Sequence, residues 1–280
     1  MSRATLRKNI KEIGELEYKI ASSREELEGA LSLVYKEYLM RGFILPKYYK
    51  SGLRITIQHA LPGTTTFIAL KNKEVVATTT IIPDSPLGLP TDEVYKKEVD
   101  RLREKNRKVC EAGYLAIKSE LLGHGLFSMF NFKKIDFMFT LFKLALQYAI
   151  HFTEFDDICI VTNPKYMIFK FLPFEIIGEV KYYGYDRISV KKKAAVAKRM
   201  DLRTVEDKLK QKIGLTKMLL GGKVPQEIFK QKFQLRPEDL RYFFVKKSDI
   251  FKNAKKQEIE YIRYCHGLSE EQFNKLLIAK

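Results

Sequence analysis

The segment Val109–Ile117 carries a carboxylate in apolar company. Val109, Glu111, Gly113, Leu115 and Ile117 alternate with Cys110, Ala112, Tyr114 and Ala116. A period of two reads as a strand, and the apolar neighbours read as a buried one. A carboxyl group taken out of water has its charged form disfavoured, so its pKa rises toward values useful to a general base near neutral pH. The competing reading of Glu111 is a structural carboxylate paired with a nearby Lys or Arg. Two residues on, Gly113 weakens a strand interior and marks a bulge or a close backbone approach, unless it is a tolerated glycine.

The surrounding pattern supplies elements to hold this strand. Leu16–Ile20 reads as a short strand, and Ser23 with Glu26 is a capping-box signature for a helix whose face is Leu27, Leu31, Val34, Tyr35 and Tyr38. A less clear periodic stretch runs from Leu53 to His59. Residues 66–70 and 75–82 are rich in Thr, Ile, Val and Phe and read as a hairpin across Lys71-Asn72-Lys73-Glu74. The three prolines of residues 82–90 require a loop, after which Thr91 can cap a charged helix from Asp92 to Asn106. A Phe-rich helix is expected over Lys134–Phe152 and a strand over Asp157–Thr162, ending at Asn163-Pro164. A further helix follows over Lys165–Leu172, then strands near Ile176–Tyr183 and Arg187–Val190. From Val196 onward the pattern is that of charged helices. The expected division is a leader over 1–15, a mixed α/β domain over 16–195 and a helical extension over 196–280.

The chain has 280 residues, of which 45% are hydrophobic, enough to build a packed core and to exclude disorder along its whole length. The most apolar stretch, Phe137–Phe152, is interrupted by Lys143, Gln147 and His151, which argues against a membrane span. Three scattered cysteines fit a reducing compartment and neither a disulfide frame nor a zinc site, and with no secretory signal pattern at the N-terminus the cytoplasm is the expected location. No metal is expected. Lys plus Arg number 51 against 34 Asp plus Glu, a formal net charge of +17, which calls for acidic company. Nucleic acid, an acidic protein and an anionic membrane surface touched peripherally all qualify. The densest basic cluster holds Lys181, Arg187, Lys191, Lys192, Lys193, Lys198 and Arg199. No nucleic-acid motif of defined spacing accompanies it.

The order of elements, with a lone strand carrying Glu111 and a strand-Asn-Pro-helix ending, resembles the GNAT acyltransferase fold. Residues 34–39 (VYKEYL), 67–70 (FIAL), 82–90 (IPDSPLGLP) and 111–116 (EAGYLA) are more specifically similar to the long-chain N-acyl amino acid synthases, which are related to the acyl-homoserine lactone synthases. The resemblance covers residues 16–190, and the DSPLGLP run is its most specific motif. It implies a central mixed sheet flanked by helices, with a fatty acyl group moved from acyl carrier protein to an amino acid amine. The donor is then a phosphopantetheine thioester, and no bound cofactor is implied. Ordinary GNAT members hold the coenzyme A pyrophosphate on an Arg/Gln-x-x-Gly-x-Gly/Ala turn. Residues 121–127 (LLGHGLF) offer two glycines without Arg or Gln at the required offset.

Aminolysis of a thioester needs a neutral amine, whereas an α-amino group is mostly protonated at neutral pH. The resemblance therefore assigns the base to Glu111, with Gly113 at the matching spacing and Tyr114 where related synthases carry Arg. In GNAT enzymes a bulge in this strand offers an N–H to the thioester carbonyl, and Gly113 is the expected site of it. Arg54, His59 and Asp84, with Tyr114, are candidates for holding the acceptor: an acid for its ammonium, an Arg fork for its carboxylate. Phe127, Phe130 and Phe137 would line an acyl pocket, although Phe at helical spacing also reads as core. Lys181, Arg187, Lys191, Lys192 and Lys193 would dock an acidic carrier protein. Two other readings stand beside this one: a coenzyme A dependent N-acetyltransferase, and a non-catalytic basic protein that binds nucleic acid.

Overall fold

The computed structural model describes residues 16–122, 132–166, 169, 172–183, 192–210, 214 and 224–278. Strand β1 (Glu17–Ile20) leads into helix α1 (Arg24–Met40), whose N-cap Ser23 accepts the Glu26 N–H. The Glu26 carboxylate reaches back to the Ser22 N–H at 2.7 Å, so each end of the turn satisfies a donor of the other. Strands β2 (Thr65–Lys71) and β3 (Glu74–Pro83) form the expected hairpin. Its two turn residues, Asn72 (φ 51°) and Lys73 (φ 66°), are both left-handed, the twist that matches paired strands. Helix α2 (Asp92–Arg103), strand β4 (Val109–Ile117), helix α3 (Phe132–Phe152) and strand β5 (Asp157–Thr162) follow in the predicted order.

The sheet order is β1-β2-β3-β4-β5, then the strands Lys193–Asp201 and Glu175–Ile176. Short strands β6 (Glu175–Ile176) and β7 (Lys181–Tyr183) lie in succession along the outer edge of β8 (Lys193–Asp201). Strand β8 crosses the boundary expected at 195/196: it pairs with β5 from Thr162↔Val196 to Asp157↔Asp201, so the sheet extends to Asp201. Its charged residues hid it. Lys198 is buried, with its ammonium 6.0 Å from the Phe169 ring centroid, and Arg199 bonds the fully buried Asp157. The expected strand over 187–190 lies outside the described residues.

Helix α3 covers one face of the sheet, where Phe137, Leu141, Leu144 and Ala149 pack on Phe67, Cys110, Ile117 and Ile158. Helices α1 and α2 cover the other, where Val34, Val99 and Leu102 meet Ile68, Ile82, Val109 and Cys159. Beyond β8 the chain is helical: α4 (Val205–Lys210), α5 (Glu227–Lys230), α6 (Pro237–Arg241), α7 (Ile250–Asn253), α8 (Lys256–Cys265) and α9 (Glu270–Ile278). Among the described residues no helix is long and apolar enough to cross a membrane.

This C-terminal region is no loose appendage. Phe243, Phe244, Phe251, Ile262 and Phe273 share a core with Leu31 of α1 and with Leu53, Ile55 and Ala60 of the α1–β2 connection. Arg24 at the start of α1 bonds Asp239, which is fully buried at the start of α6. Phe244→Ala should therefore lower the stability of the whole protein by about 3–5 kcal/mol, the usual loss for a buried aromatic. Calorimetry should show one transition shifted downward; an early transition split from an unchanged main one would show that the region unfolds separately.

Candidate active site

Strands β3 and β4 pair in register from Pro83↔Cys110 to Thr80↔Gly113 and resume at Thr78↔Ala116. Tyr114 and Leu115 thus oppose Thr79 alone, which is a β-bulge. The bulge falls where Gly113 marked it, but the strained residue is Tyr114, with φ +54°. A left-handed aromatic costs energy and persists only where its surroundings hold it. Thr79 Oγ1 donates to the Gly113 carbonyl at 3.0 Å, and the Tyr114 ring is buried. The extra residue also overturns the simple alternation. Val109, Glu111, Tyr114 and Ala116 lie on the α1/α2 face, whereas Cys110, Ala112, Leu115 and Ile117 lie on the α3 face.

Beside the bulge the sheet parts. Parallel pairing of β4 with β5 stops at Glu111↔Cys159, while β4 runs on to Ile117 and β5, paired with β8 along its other edge throughout, runs on to Thr162. Glu111 therefore stands where the two strands diverge. It is buried, and its Oε2 accepts the Thr91 N–H at 2.7 Å. Thr91 precedes α2 and gives no side-chain cap; its backbone N–H instead points a helix start at the carboxylate. Burial is the largest influence and raises the Glu111 pKa to about 7, with Asp92 and Glu93 adding to the rise and the Thr91 bond opposing it. A Cβ on Gly113 would stand 3.6 Å from Glu111 Oε1, so glycine leaves the space beside the carboxylate free.

A second polar group adjoins the bulge. The Thr56 N–H donates to His59 Nδ1 at 3.1 Å, which fixes Nδ1 as an acceptor and places the ring proton on Nε2. Thr56 Oγ1 lies 3.0 Å from both His59 Nδ1 and the Tyr114 hydroxyl. The Tyr114 O–H then donates to Thr56, and Thr56 to His59. The two rings meet edge to face at 4.8 Å. Burial and the nearby Arg54 lower the His59 pKa to about 4, so the imidazole is neutral at pH 7 and is no reservoir of positive charge. The Arg54 guanidinium lies 5.4 Å from the Tyr49 ring centroid. Nothing in the sequence pattern singles out Thr56 or Thr79, and Thr91 reads there only as a helix cap; the Thr56-x-x-His59 spacing is the one local signal that could have been used.

The remaining expected residues are dispersed. Asp84 is held by both branches of Arg103, Nε and Nη2, at 2.7 Å each, and Arg103 also bonds Asp92 and Asp100. This clamp folds the DSPLGLP loop onto α2 and occupies Asp84, so the carboxylate expected to hold an ammonium is already paired. Phe137 is a core residue whose ring lies 6.4 Å from that of Tyr18, in keeping with its helical spacing. Phe127 and Phe130, the glycines of residues 123–125, Arg187 and Lys191 lie outside the described residues. Lys181 bonds Glu98 and the Val94 carbonyl, Lys193 bonds the Arg41 carbonyl, and Lys192 is exposed. A hollow of about 480 Å³ whose lining includes Leu53, Ile55, Ile57, Lys247, Ile250 and Ala254 contains none of the expected site residues.

The raised pKa of Glu111 has a consequence for stability. The native state holds this proton more tightly than the unfolded chain, so the wild-type protein loses stability as pH rises from about 4.5 to about 7. Glu111→Gln does not titrate. Relative to wild type, the variant should gain up to about 3 kcal/mol between pH 5 and pH 8. Denaturant titrations at both pH values check this; a constant difference would mean that the carboxyl is ionised throughout.

The profile of the N-acyl amino acid synthase FeeM family matches residues 29–190. No curated protein sequence matches the chain. Among solved structures, FeeM, an N-acyl amino acid synthase from uncultured soil microbes, superposes with a TM-score of 0.56 at 25% identity, over 69% of this chain and 93% of its own. The acyl-homoserine lactone synthase LasI gives 0.47 at 15% identity, over 75% and 96% of the two chains. The coenzyme A dependent acyl-homoserine lactone synthase BjaI gives 0.42 at 13%, over 77% and 99%. The sheet is that of the GNAT-like acyltransferases, and the chain belongs to the N-acyl amino acid synthase family.

Proposed function

We propose that this acyltransferase moves a long-chain fatty acyl group from the thioester of acyl carrier protein to the amine of an amino acid, and that Glu111 is its base. The observation that carries the reading is the position of Glu111, with its pKa near 7, where β4 and β5 diverge beside a bulge. A thioester lying in that gap presents its carbonyl to the bulge backbone. The amine attacks the carbonyl carbon, a C–N bond forms as the C–S bond breaks, Glu111 takes the amine proton, and the thiolate leaves to be protonated. Bulge N–H groups fixed before the reaction lower the barrier without reorganising, because the charge on oxygen develops where they already point. Tyr114, Thr56, His59 and Arg54 border the acceptor side of the same face.

A carrier-protein donor suits the net charge of +17, since acyl carrier proteins are acidic. Lys181, Lys192 and Lys193, with Arg187 and Lys191, remain the residues proposed to meet it. Docking through rim charges acts on association and weakens with salt, so the KM for carrier-bound donor should rise with ionic strength while turnover at saturation holds.

Two experiments test the reading. The rate kcat/KM should rise with pH to a plateau through a midpoint near 7, as expected for a base that must be ionised. Glu111→Gln should fall at least tenfold and lose that limb; a variant that keeps the wild-type profile removes Glu111 from the chemistry. Long-chain acyl-carrier-protein thioesters should be used far better than the same acyl groups on coenzyme A or than acetyl donors. Equal kcat/KM for carrier and coenzyme donors would defeat the carrier assignment, and a preference for acetyl-coenzyme A would favour the N-acetyltransferase reading.

A further inference from the structure

Thr91 has three polar groups, and two of them are placed. Its N–H donates to Glu111 Oε2 at 2.7 Å, and its carbonyl accepts the Val94 and Tyr95 N–H groups at 3.2 and 2.9 Å, opening α2. Its hydroxyl is left over. Thr91 is 2% exposed, and its Oγ1 is shut off from water with no hydrogen-bond partner among the described residues. The ordinary use of a threonine at a helix start is to accept an N–H of the first turn, and Thr91 makes no such bond. Asp92 Oδ2 takes the Leu89 N–H at 2.7 Å, so the loop is tied without help from the hydroxyl. A buried hydroxyl without a partner costs free energy that valine, of nearly the same shape, would not.

The group beside it is the Glu111 carboxylate. The hydroxyl stands near enough to favour the charged form, although it makes no bond of ordinary geometry. Oε2 accepts one N–H, and a carboxylate oxygen has room for two donors, so the N–H and the hydroxyl of one residue fit a single oxygen. Oε1 is placed differently. It makes no hydrogen bond among the described residues and lies 3.6 Å from where a Cβ on Gly113 would stand, so it borders the space that glycine leaves beside the bulge. The other ionisable groups around Glu111 are Asp92 and Glu93 at the start of α2, Cys159 opposite it on β5, and Cys110 and Tyr114 on β4. Burial raises the pKa of Tyr114 and of both thiols, so they stay protonated near neutral pH, and Asp92 is held by Arg103.

We propose that Thr91 is a positioning residue of the base: its N–H and its hydroxyl both serve Oε2 of the charged Glu111, which leaves Oε1 to take the proton of the acceptor amine. The claim deepens the assignment of Glu111 above and rests on it. A hydroxyl that bonds only the charged form is a hydrogen bond gained on ionisation, and it moves the titration of the carboxyl downward. Without it the base works at a higher pH.

Thr91→Val removes the hydroxyl and keeps the N–H. The midpoint of its kcat/KM against pH should rise by about one unit, the scale of one hydrogen bond to a charged group, while Thr91→Ser keeps the wild-type midpoint. Thr91→Ala also lacks the hydroxyl and should share the shift. A lowered plateau with an unmoved midpoint, or a serine variant shifted as far as the valine one, would overturn the inference. A second readout needs no turnover. The stability that wild type loses as pH rises is lost up to the native pKa of Glu111, so in Thr91→Val the loss should run on to a higher pH, as read by denaturant titrations from pH 5 to pH 9. With Glu111→Gln as background, the cost of Thr91→Val should no longer vary with pH; a variation that persists there would also overturn the inference. A shift in the stability curve without a shift in the rate profile would leave the Thr91 contact standing and defeat Glu111 as the base. Gly113→Ala tests the other oxygen: a methyl in contact with Oε1 should lower kcat/KM at least tenfold, and full activity in that variant would overturn the assignment of Oε1.

Discussion

One extra residue in β4 decides which side chains can work together. Without it, Glu111 and Tyr114 would point to opposite faces of the sheet, since strand side chains alternate. The bulge at Tyr114–Leu115 slips the alternation by one and brings both onto the face covered by α1 and α2. On the other edge of β4, pairing with β5 ends at Glu111↔Cys159, while β5 stays paired with β8 as far as Thr162↔Val196. The bulge sets the face of Glu111 and Tyr114, and the end of β4–β5 pairing sets the gap beside them. The strain of a left-handed tyrosine is offset by its hydroxyl bond to Thr56, its contact with His59 and the Thr79 bond to Gly113.

The state of Glu111 is set by two opposed effects that both come from packing. Burial between α2 and the sheet favours the neutral acid, while the Thr91 N–H and the start of α2 favour the carboxylate. Neither wins outright, which is why the group titrates near 7. The Arg103 clamp belongs to this balance, because it holds Asp84 and Asp92 at the two ends of the loop that delivers Thr91. Of the two aspartates it holds, Asp92 adds to the rise in the Glu111 pKa. A loop with three prolines could be stiff in many shapes; Arg103 selects the one in which its last N–H meets the acid.

Much of this frame was legible because local rules sufficed. The Ser23 cap, the Asn72-Lys73 turn, the prolines of residues 82–90 and the apolar period of Val109–Ile117 each act over a few residues. What failed depended on partners distant in sequence. Strand β8 was missed because Lys198 and Arg199 read as solvated, whereas burial against Phe169 and pairing with Asp157 make both compatible with an inner strand. Asp84 read as an unpaired acid because Arg103, nineteen residues away, forms its fork only after α2 has folded back. Gly113 announced an irregularity in β4, but only the register against Thr78 and Thr80 reveals that the extra residue reverses the faces.

The same reasoning explains why a region beyond the family match bears on the site. The second half of the α1–β2 connection, from Leu53 to Thr64, has one short 3-10 turn, Ile57–Ala60, yet it carries Arg54, Thr56 and His59. Irregular backbone of this kind is held only by what packs on it. The C-terminal helices supply that support from one side, with Phe243 and Phe244 against Leu53 and Ile55, and His266 Nε2 lies 2.7 Å from the Ala60 carbonyl. From the other side Tyr114 fixes Thr56 and His59. The connection is thus clamped between the bulge and the extension. Its polar residues owe their placement to both, and a change on either side reaches the acceptor face without altering a residue that lines it.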